Sequence, residues 1–86
     1  MSNDPLSVTL SHTLSAYREV LGNPEVLPDD DFFELGGDSM QAIDAVSLIE
    51  AAVGVAIPAA WFFTYPTAAE LASAITSGVG KHSGAA

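Results

Sequence analysis

Residues 32–54 read FFELGGDSMQAIDAVSLIEAAVG, and this stretch decides the fold because it joins a glycine-containing turn to a helical pattern. Asp38 precedes the pattern and Gln41 stands three residues later, which is the spacing of a capping box. Gly54 ends the pattern, as glycine commonly does after a helix. Apolar residues recur at steps of four, three and four, and this spacing predicts the core face of an amphipathic helix: Ala42, Val46, Ile49 and Val53.

The residues before this stretch predict another helix and a long loop. Asp4 suits a helix N-cap, Pro5 suits the first helical position, and Gly22 suits the C-terminal end. The predicted core stripe of this helix is Leu6, Leu10, Leu14, Tyr17 and Leu21. Apolar residues over 23–37 follow neither a helical nor a strand spacing, which predicts a loop of about fifteen residues. Five apolar residues indicate that the loop is anchored to a core: Val26, Leu27, Phe32, Phe33 and Leu35.

The residues after this stretch predict two more helices. A short helix over residues 59–64 contains Trp61, Phe62 and Phe63, of which we expect Phe63 to pack in the core and Trp61 to lie partly outside. Thr67 and Glu70 form a second capping box, and the stripe of the last helix is Ala68, Leu71, Ala72 and Ile75. The predicted fold is all-α, a small four-helix bundle of three longer helices and one short helix. We expect one domain over residues 4–77 and a disordered tail over residues 78–86.

Charge and composition exclude several classes of function. The 86 residues include 2 Lys and Arg against 11 Asp and Glu, for a formal net charge of −9. This balance argues against nucleic acid and membrane as partners, because both are bound through Lys and Arg, and it favours basic protein partners. The chain has no cysteine, so it holds no disulfide, thiolate zinc site or cysteine nucleophile. No secretory signal or membrane-spanning stretch is visible, and we expect a cytoplasmic monomer.

Ser39 is the residue best placed for chemistry. It follows Gly36, Gly37 and Asp38 at the start of a predicted helix, where free N–H groups favour an attached anion such as a phosphodiester. The glycines would let another protein approach the hydroxyl closely. Serine is also an ordinary capping residue, and the spacing alone leaves both interpretations open.

Two apolar residues near Ser39 fall on the predicted solvent face of the same helix. Met40 and Ile43 lie opposite the core stripe, where they could form an adaptable docking surface or simply be exposed side chains of a small protein. Other chemistries fail on spacing: His12 and His82 are not placed as a triad base for Ser39, and the run of acids at residues 29–31 does not match a calcium loop. We therefore predict no catalytic residue and no metal site.

The segment from Phe32 to Ser39 closely resembles the phosphopantetheine attachment motif of carrier protein domains. Its Gly-Gly form is more similar to the peptidyl carriers, or thiolation domains, of nonribosomal peptide synthetases than to acyl carriers. The later segments GVAIP at residues 54–58, the pair Phe62-Phe63, and Pro66-Thr67 fit the same family. The resemblance runs from about Leu6 to Ile75, which covers nearly all of the predicted fold.

This resemblance implies a carrier and not an enzyme. Ser39 would receive phosphopantetheine from coenzyme A through a phosphopantetheinyl transferase that holds the magnesium, with Gly36, Gly37 and Asp38 as the flanking motif. The thiol of the arm would carry an aminoacyl or peptidyl thioester in secondary-metabolite synthesis. An adenylation enzyme would load the arm, and condensation, tailoring or thioesterase enzymes would then act on it.

The family's docking surfaces map onto Met40 and Ile43, and onto the short helix near Trp61 and Phe62. Asp44 and Leu48 depart from the basic residues that many relatives carry there, which bears on the identity of the partners. The start at Met1 favours a free-standing carrier, although an excised domain would read the same. Two alternatives stay open: an acyl carrier for polyketide or other acyl units, and an unmodified helical adaptor in which Ser39 only caps a helix.

Overall fold

Four helices form the part of the chain that the structure, a computed structural model, describes, namely residues 4–77. In chain order they are α1 (Pro5–Leu21), α2 (Ser39–Val53), α3 (Trp61–Thr64) and α4 (Ala68–Ser77). α1 packs against both α2 and α4. Within residues 4–77 the one β-type pairing is an isolated antiparallel bridge between Asp31 and Thr67. The predicted all-α fold, with three longer helices and one short helix, is confirmed, whereas the predicted tail at residues 78–86 lies outside the described residues.

The helices begin and end at the capping residues that the sequence indicates. The Asp4 carboxylate accepts a hydrogen bond from the Ser7 amide, and Gly22 follows α1 in the left-handed conformation. Gly54 follows α2 in the same way. Before α4, the Thr67 hydroxyl oxygen accepts a bond from the Glu70 amide at 3.1 Å, and the Glu70 carboxylate accepts one from the Thr67 amide at 3.4 Å. These caps each satisfy backbone groups that a helix end leaves without an intrahelical partner.

The predicted stripe of α1 is confirmed at Tyr17, whereas its leucines lie at the edge of the buried face or outside it. The fully or nearly fully buried residues of the helix are Thr9, Thr13, Ala16 and Tyr17. Leu6 is exposed, and the other three leucines of the predicted stripe are only partly buried. Thr13 tolerates burial because its hydroxyl donates a 2.8 Å hydrogen bond to the Thr9 carbonyl within the helix. On α2 the predicted stripe is confirmed for Ala42, Val46 and Ile49, which are joined in the core by Ala45.

The short helix α3 starts two residues later than predicted and turns a different aromatic side chain inward. Phe62 is fully buried, whereas Phe63 is 62% exposed, so the expectation that Phe63 packs in the core is wrong. Phe62 lies in the core because its ring contacts those of Tyr17 and Phe32, with centroid distances of 5.6 and 5.2 Å. Trp61 is partly buried and packs edge-on against a neighbouring tyrosine.

The loop between α1 and α2 is anchored to the core, as its apolar residues predict. Val26 and Phe32 are fully buried, whereas Leu27 is exposed. The Arg18 guanidinium donates two hydrogen bonds to the Val26 carbonyl, at 3.1 and 2.8 Å. The loop is also held at the corner before α4, where the Phe32 amide donates to the Pro66 carbonyl at 3.0 Å. These contacts fix the path of the chain as it approaches Ser39.

Candidate functional site

Ser39 is the first residue of α2, and its side chain is exposed. The helix start is fixed by a complete capping box: the Asp38 carboxylate accepts from the Gln41 amide at 2.8 Å, and the Gln41 side-chain oxygen accepts from the Asp38 amide at 3.1 Å. Asp38 therefore caps the helix, and Ser39 does not. Among residues 4–77, no group forms a hydrogen bond with the Ser39 hydroxyl. This hydroxyl is therefore accessible at the N-terminal end of α2.

The two glycines before the helix have different structural roles. Gly36 has φ +102°, a conformation that residues with a Cβ rarely adopt, and nothing lies within 4 Å of where its Cβ would be. Gly37 instead lies against Phe32: a Cβ there would stand 2.6 Å from ring atom Cδ2 and 2.8 Å from the Phe32 carbonyl oxygen. Gly36 thus leaves open space beside Ser39, and Gly37 lets the turn rest directly on the core.

Asp31 and Phe32 stabilise the turn that leads to Ser39 by accepting hydrogen bonds from its amides. One carboxylate oxygen of Asp31 accepts hydrogen bonds from the amides of Phe33 and Glu34, at 2.8 and 3.1 Å. The Phe32 carbonyl accepts from the Gly37 amide at 3.1 Å. The buried Phe32 ring stands edge-on to Tyr17, with 5.0 Å between centroids. Local hydrogen bonds and one buried ring therefore connect the turn before Ser39 to the core.

Exposed apolar side chains adjoin Ser39, as the helical spacing predicts for two of them. Met40 is 72% and Ile43 is 51% exposed. Of the aromatic residues considered for the same surface, Trp61 is partly exposed, whereas the fully buried Phe62 offers no side-chain surface to a partner. The placement of Phe62 on the docking surface is therefore corrected. The sequence pattern did not indicate Phe63 as a surface residue, yet its exposed ring stacks on Phe33 with 4.9 Å between centroids.

The surface of the described chain carries little positive charge. All 11 carboxylate side chains lie within residues 4–77, whereas the same range holds one Lys or Arg, namely Arg18. Arg18 is engaged with the loop carbonyl of Val26. The amides of the first turn of α2 give a small local positive potential at Ser39 within this negative field. An anion bound covalently to Ser39 is favoured by these amides, while basic partner surfaces are attracted over longer distances.

Within residues 4–77, the Ser39 hydroxyl has no hydrogen-bonded base. His12 lines a hollow together with Ala52, which lies near the C-terminal end of α2. Ala52 and Ser39 are separated by roughly 20 Å along the axis of this helix. In the described range, no group of three or more His, Cys, Asp or Glu residues could hold a metal ion. None of the four helices there has the length and apolar character needed to cross a membrane.

Comparison with known proteins identifies the family. Residues 8–75 match the family described as "Phosphopantetheine attachment site". Tyrocidine synthase 3 of Brevibacillus parabrevis is 43% identical over 56 residues, which are 65% of this chain and 1% of that protein. The probable non-canonical nonribosomal peptide synthetase CymA of Salinispora arenicola is 38% identical over 65 residues, which are 76% of this chain and 1% of that protein. The chain thus spans only a small part of the length of these curated relatives.

A solved structure supports the same assignment at the level of the fold. A chain described as a "Non Ribosomal PCP domain" superposes with a TM-score of 0.72 and 36% sequence identity, covering 84% of this chain and 92% of that one. Domains of the matched family carry phosphopantetheine covalently. The family match spans most of the chain, and the solved domain is matched over nearly its whole length. The chain therefore belongs to the phosphopantetheine attachment family, among the peptidyl carrier proteins of nonribosomal type.

Proposed function

We propose that Ser39 carries the phosphopantetheine arm and that the chain shuttles an aminoacyl or peptidyl thioester between enzymes of nonribosomal peptide synthesis. The observation that carries this proposal is the exposed Ser39 hydroxyl at the first position of α2, with no hydrogen-bond partner among the described residues. A peptidyl carrier is favoured over an acyl carrier by the nonribosomal relatives and by the matched PCP domain.

The residues around Ser39 fit a covalently attached phosphate ester. Ser39 would supply the oxygen that attacks the pantetheine-bearing phosphorus of coenzyme A. The diphosphate P–O bond at that phosphorus would break, the adenosine phosphate part of coenzyme A would leave, and the serine proton would pass to a base of the transferase. The free amides of the first helical turn stabilise the negative charge of the phosphodiester. Asp38 opposes that charge in part, and its own carboxylate is stabilised by the hydrogen bond that it accepts from the Gln41 amide. When bound, the group supplies a terminal thiol that carries the acyl unit as a thioester.

The carrier provides an attachment point and a recognition surface, and its partner enzymes make and break the bonds. We place its docking surface at Met40 and Ile43, extended by the exposed parts of Trp61 and by Phe63 in the position first expected for Phe62. The partners are a phosphopantetheinyl transferase, an adenylation enzyme, and condensation, tailoring or thioesterase enzymes. Because the transferase takes the arm from coenzyme A, we place this cycle in the cytoplasm.

One mass measurement tests the attachment site. The chain is incubated with coenzyme A and a broad-range phosphopantetheinyl transferase, and its intact mass is then determined. We expect a gain of one phosphopantetheinyl group in the wild type and in the Ser47→Ala control, and no gain in Ser39→Ala. Ser47 is a suitable control because it is another exposed serine of α2. A wild type that gains no mass would instead support the unmodified adaptor, and a gain that persists in Ser39→Ala would refute Ser39 as the site.

The docking surface is tested with exposed positions of α2. Met40→Glu and Ile43→Glu should lower the rate at which an adenylation enzyme loads the modified carrier, because each places a charge in an apolar contact. Ala51→Glu, at an exposed position farther along α2, should leave the rate unchanged. All three variants should keep the wild-type helical circular dichroism. Loading assays with amino acids and with acyl groups, run on the same modified chain, distinguish a peptidyl from an acyl carrier.

A further inference from the structure

A second surface lies between α1 and α2. Two open hollows meet there, with volumes of about 540 and 140 Å³, and both are lined by Glu19 and Leu48. We refer to the joined hollows as the α1–α2 groove. The larger hollow is also lined by Val20 and Asp44, and the smaller one by His12. The groove therefore runs along α2 from its N-terminal half towards its C-terminal half.

The groove faces away from Ser39. Leu48 follows Ser39 by nine residues, and at about 100° per residue this places the two side chains roughly 180° apart around α2. A molecule bound in the groove would therefore leave the Ser39 hydroxyl accessible. The groove lies beside the docking surface proposed around Met40 and Ile43, because Asp44 and Leu48 are displaced from Met40 by roughly 40° and 80° around α2.

The walls of the groove are acidic and its centre is apolar. Glu19 on α1 and Asp44 on α2 are exposed, and neither carboxylate has a hydrogen-bonded or ion-paired partner in the part of the chain described. The partly buried Val20 and the 38% exposed Leu48 also line this hollow. Arg18, the one Lys or Arg of residues 4–77, donates to the Val26 carbonyl. The groove is therefore lined by no Lys or Arg of the described residues, and His12 is its one basic side chain there.

We propose that the α1–α2 groove binds a basic amphipathic segment of a partner protein, in which lysine or arginine side chains flank an apolar side chain. The cations would meet Glu19 and Asp44, and the apolar side chain would cover Leu48. Charge complementarity selects this occupant, because an acidic or uncharged segment would desolvate both carboxylates without pairing them. The proposal does not depend on modification of Ser39.

The proposal is tested by nuclear magnetic resonance on the ¹⁵N-labelled full chain. The probe is a synthetic amphipathic helical peptide of leucine and lysine, compared with a peptide of the same composition whose order abolishes the amphipathic face. We expect saturable shifts of the Val20, Ser47 and Leu48 amides with the amphipathic peptide and weaker binding of the scrambled one. Shifts centred on Met40 and Ile43, equal binding of both peptides, or no binding would overturn the proposal.

Paired variants distinguish binding at the groove from nonspecific electrostatic attraction of a basic peptide to an acidic protein. Asp44→Asn should weaken binding by up to about fivefold, as expected for one exposed ion pair, while Asp29→Asn removes the same charge from the loop and should not change it. Leu48→Ser should also weaken binding, and Leu27→Ser, which changes another exposed leucine, should not. If either control weakens binding as much as its partner variant, the groove is not the site. Binding should persist in Ser39→Ala, so a failure here is distinguishable from a failure of the carrier assignment.

Discussion

Substituting Gly37 by alanine tests whether the turn before Ser39 depends on close packing against the core. The added Cβ would stand 2.6 Å from Cδ2 of Phe32 and 2.8 Å from its carbonyl oxygen, distances that real Cβ atoms essentially never show. The Phe32 ring has no space to retreat, because it is fully buried and stands edge-on to Tyr17 and Phe62. Overpacking of this kind costs about 1–3 kcal/mol, and crowding by both ring and backbone places Gly37→Ala at the upper end. In a domain of this size, about 2–3 kcal/mol lowers Tm by roughly 10–20 °C.

Thermal and urea unfolding, followed by circular dichroism, measure this cost in two backgrounds. In Phe32→Leu the ring edge is gone, so Gly37→Ala should cost only about 1 kcal/mol there, and the difference is the coupling between the two residues. Gly36→Ala is the matched control, because its added Cβ contacts nothing and its cost comes only from the backbone at φ +102°. Phe32→Leu does not relieve that backbone strain, so the cost of Gly36→Ala should be the same in both backgrounds. A Gly37→Ala protein that melts within about 2 °C of the wild type, or an equal cost in both backgrounds, would refute the packing argument.

Three further predictions concern the caps and the core. Burial and, secondarily, two nearby carboxylates raise the pKa of Tyr17 above its usual value of 10. The free energy of unfolding should therefore be unaffected by this group below pH 10 and fall by up to about 1.4 kcal/mol per pH unit above it. Alkaline urea titrations should show a smaller fall in Tyr17→Phe. Asp38→Ala should lower the free energy of unfolding by about 1 kcal/mol through loss of the capping box, and Asp38→Asn by less, as measured in urea. Phe62→Ala should cost about 3–5 kcal/mol and Phe63→Ala far less, and similar melting temperatures for the two variants would contradict their assigned burial.

Both ends of α1 and α2 and the start of α4 could be predicted, because each depends on a few neighbouring residues. Asp38 and Gln41 form the predicted capping box, Thr67 and Glu70 form another, and Gly54 ends α2. These hydrogen bonds join residues within four positions of each other, so a short stretch of sequence is enough to predict them. Ser39 could be singled out for the same reason, since its place at a helix start follows from the cap beside it.

The orientation of α1 and α3 could not be predicted, because it depends on contacts between distant segments. On α1 the predicted stripe is confirmed at Tyr17, but the core also takes Thr13, whose hydroxyl is satisfied within its own helix. On α3 three adjacent aromatics fill a single turn, and no period distinguishes them. Phe62 points inward because Tyr17 and Phe32 offer it aromatic partners from two other segments. Hydrophobicity alone does not encode that choice.

A carrier has to present one hydroxyl to several enzymes, and the structure meets this requirement by holding the base of the site rigidly and leaving its tip exposed. The turn before Ser39 packs on Phe32. The Phe32 amide in turn donates a hydrogen bond to the carbonyl of Pro66, which precedes α4. Ser39 itself contacts no hydrogen-bond partner within residues 4–77. The proposed point of attachment is therefore positioned by the core, although it lies at the end of a long loop. In the proposed function, movement of the cargo then comes from the arm and from the whole domain, since the loop is pinned at Val26, Phe32 and Gly37.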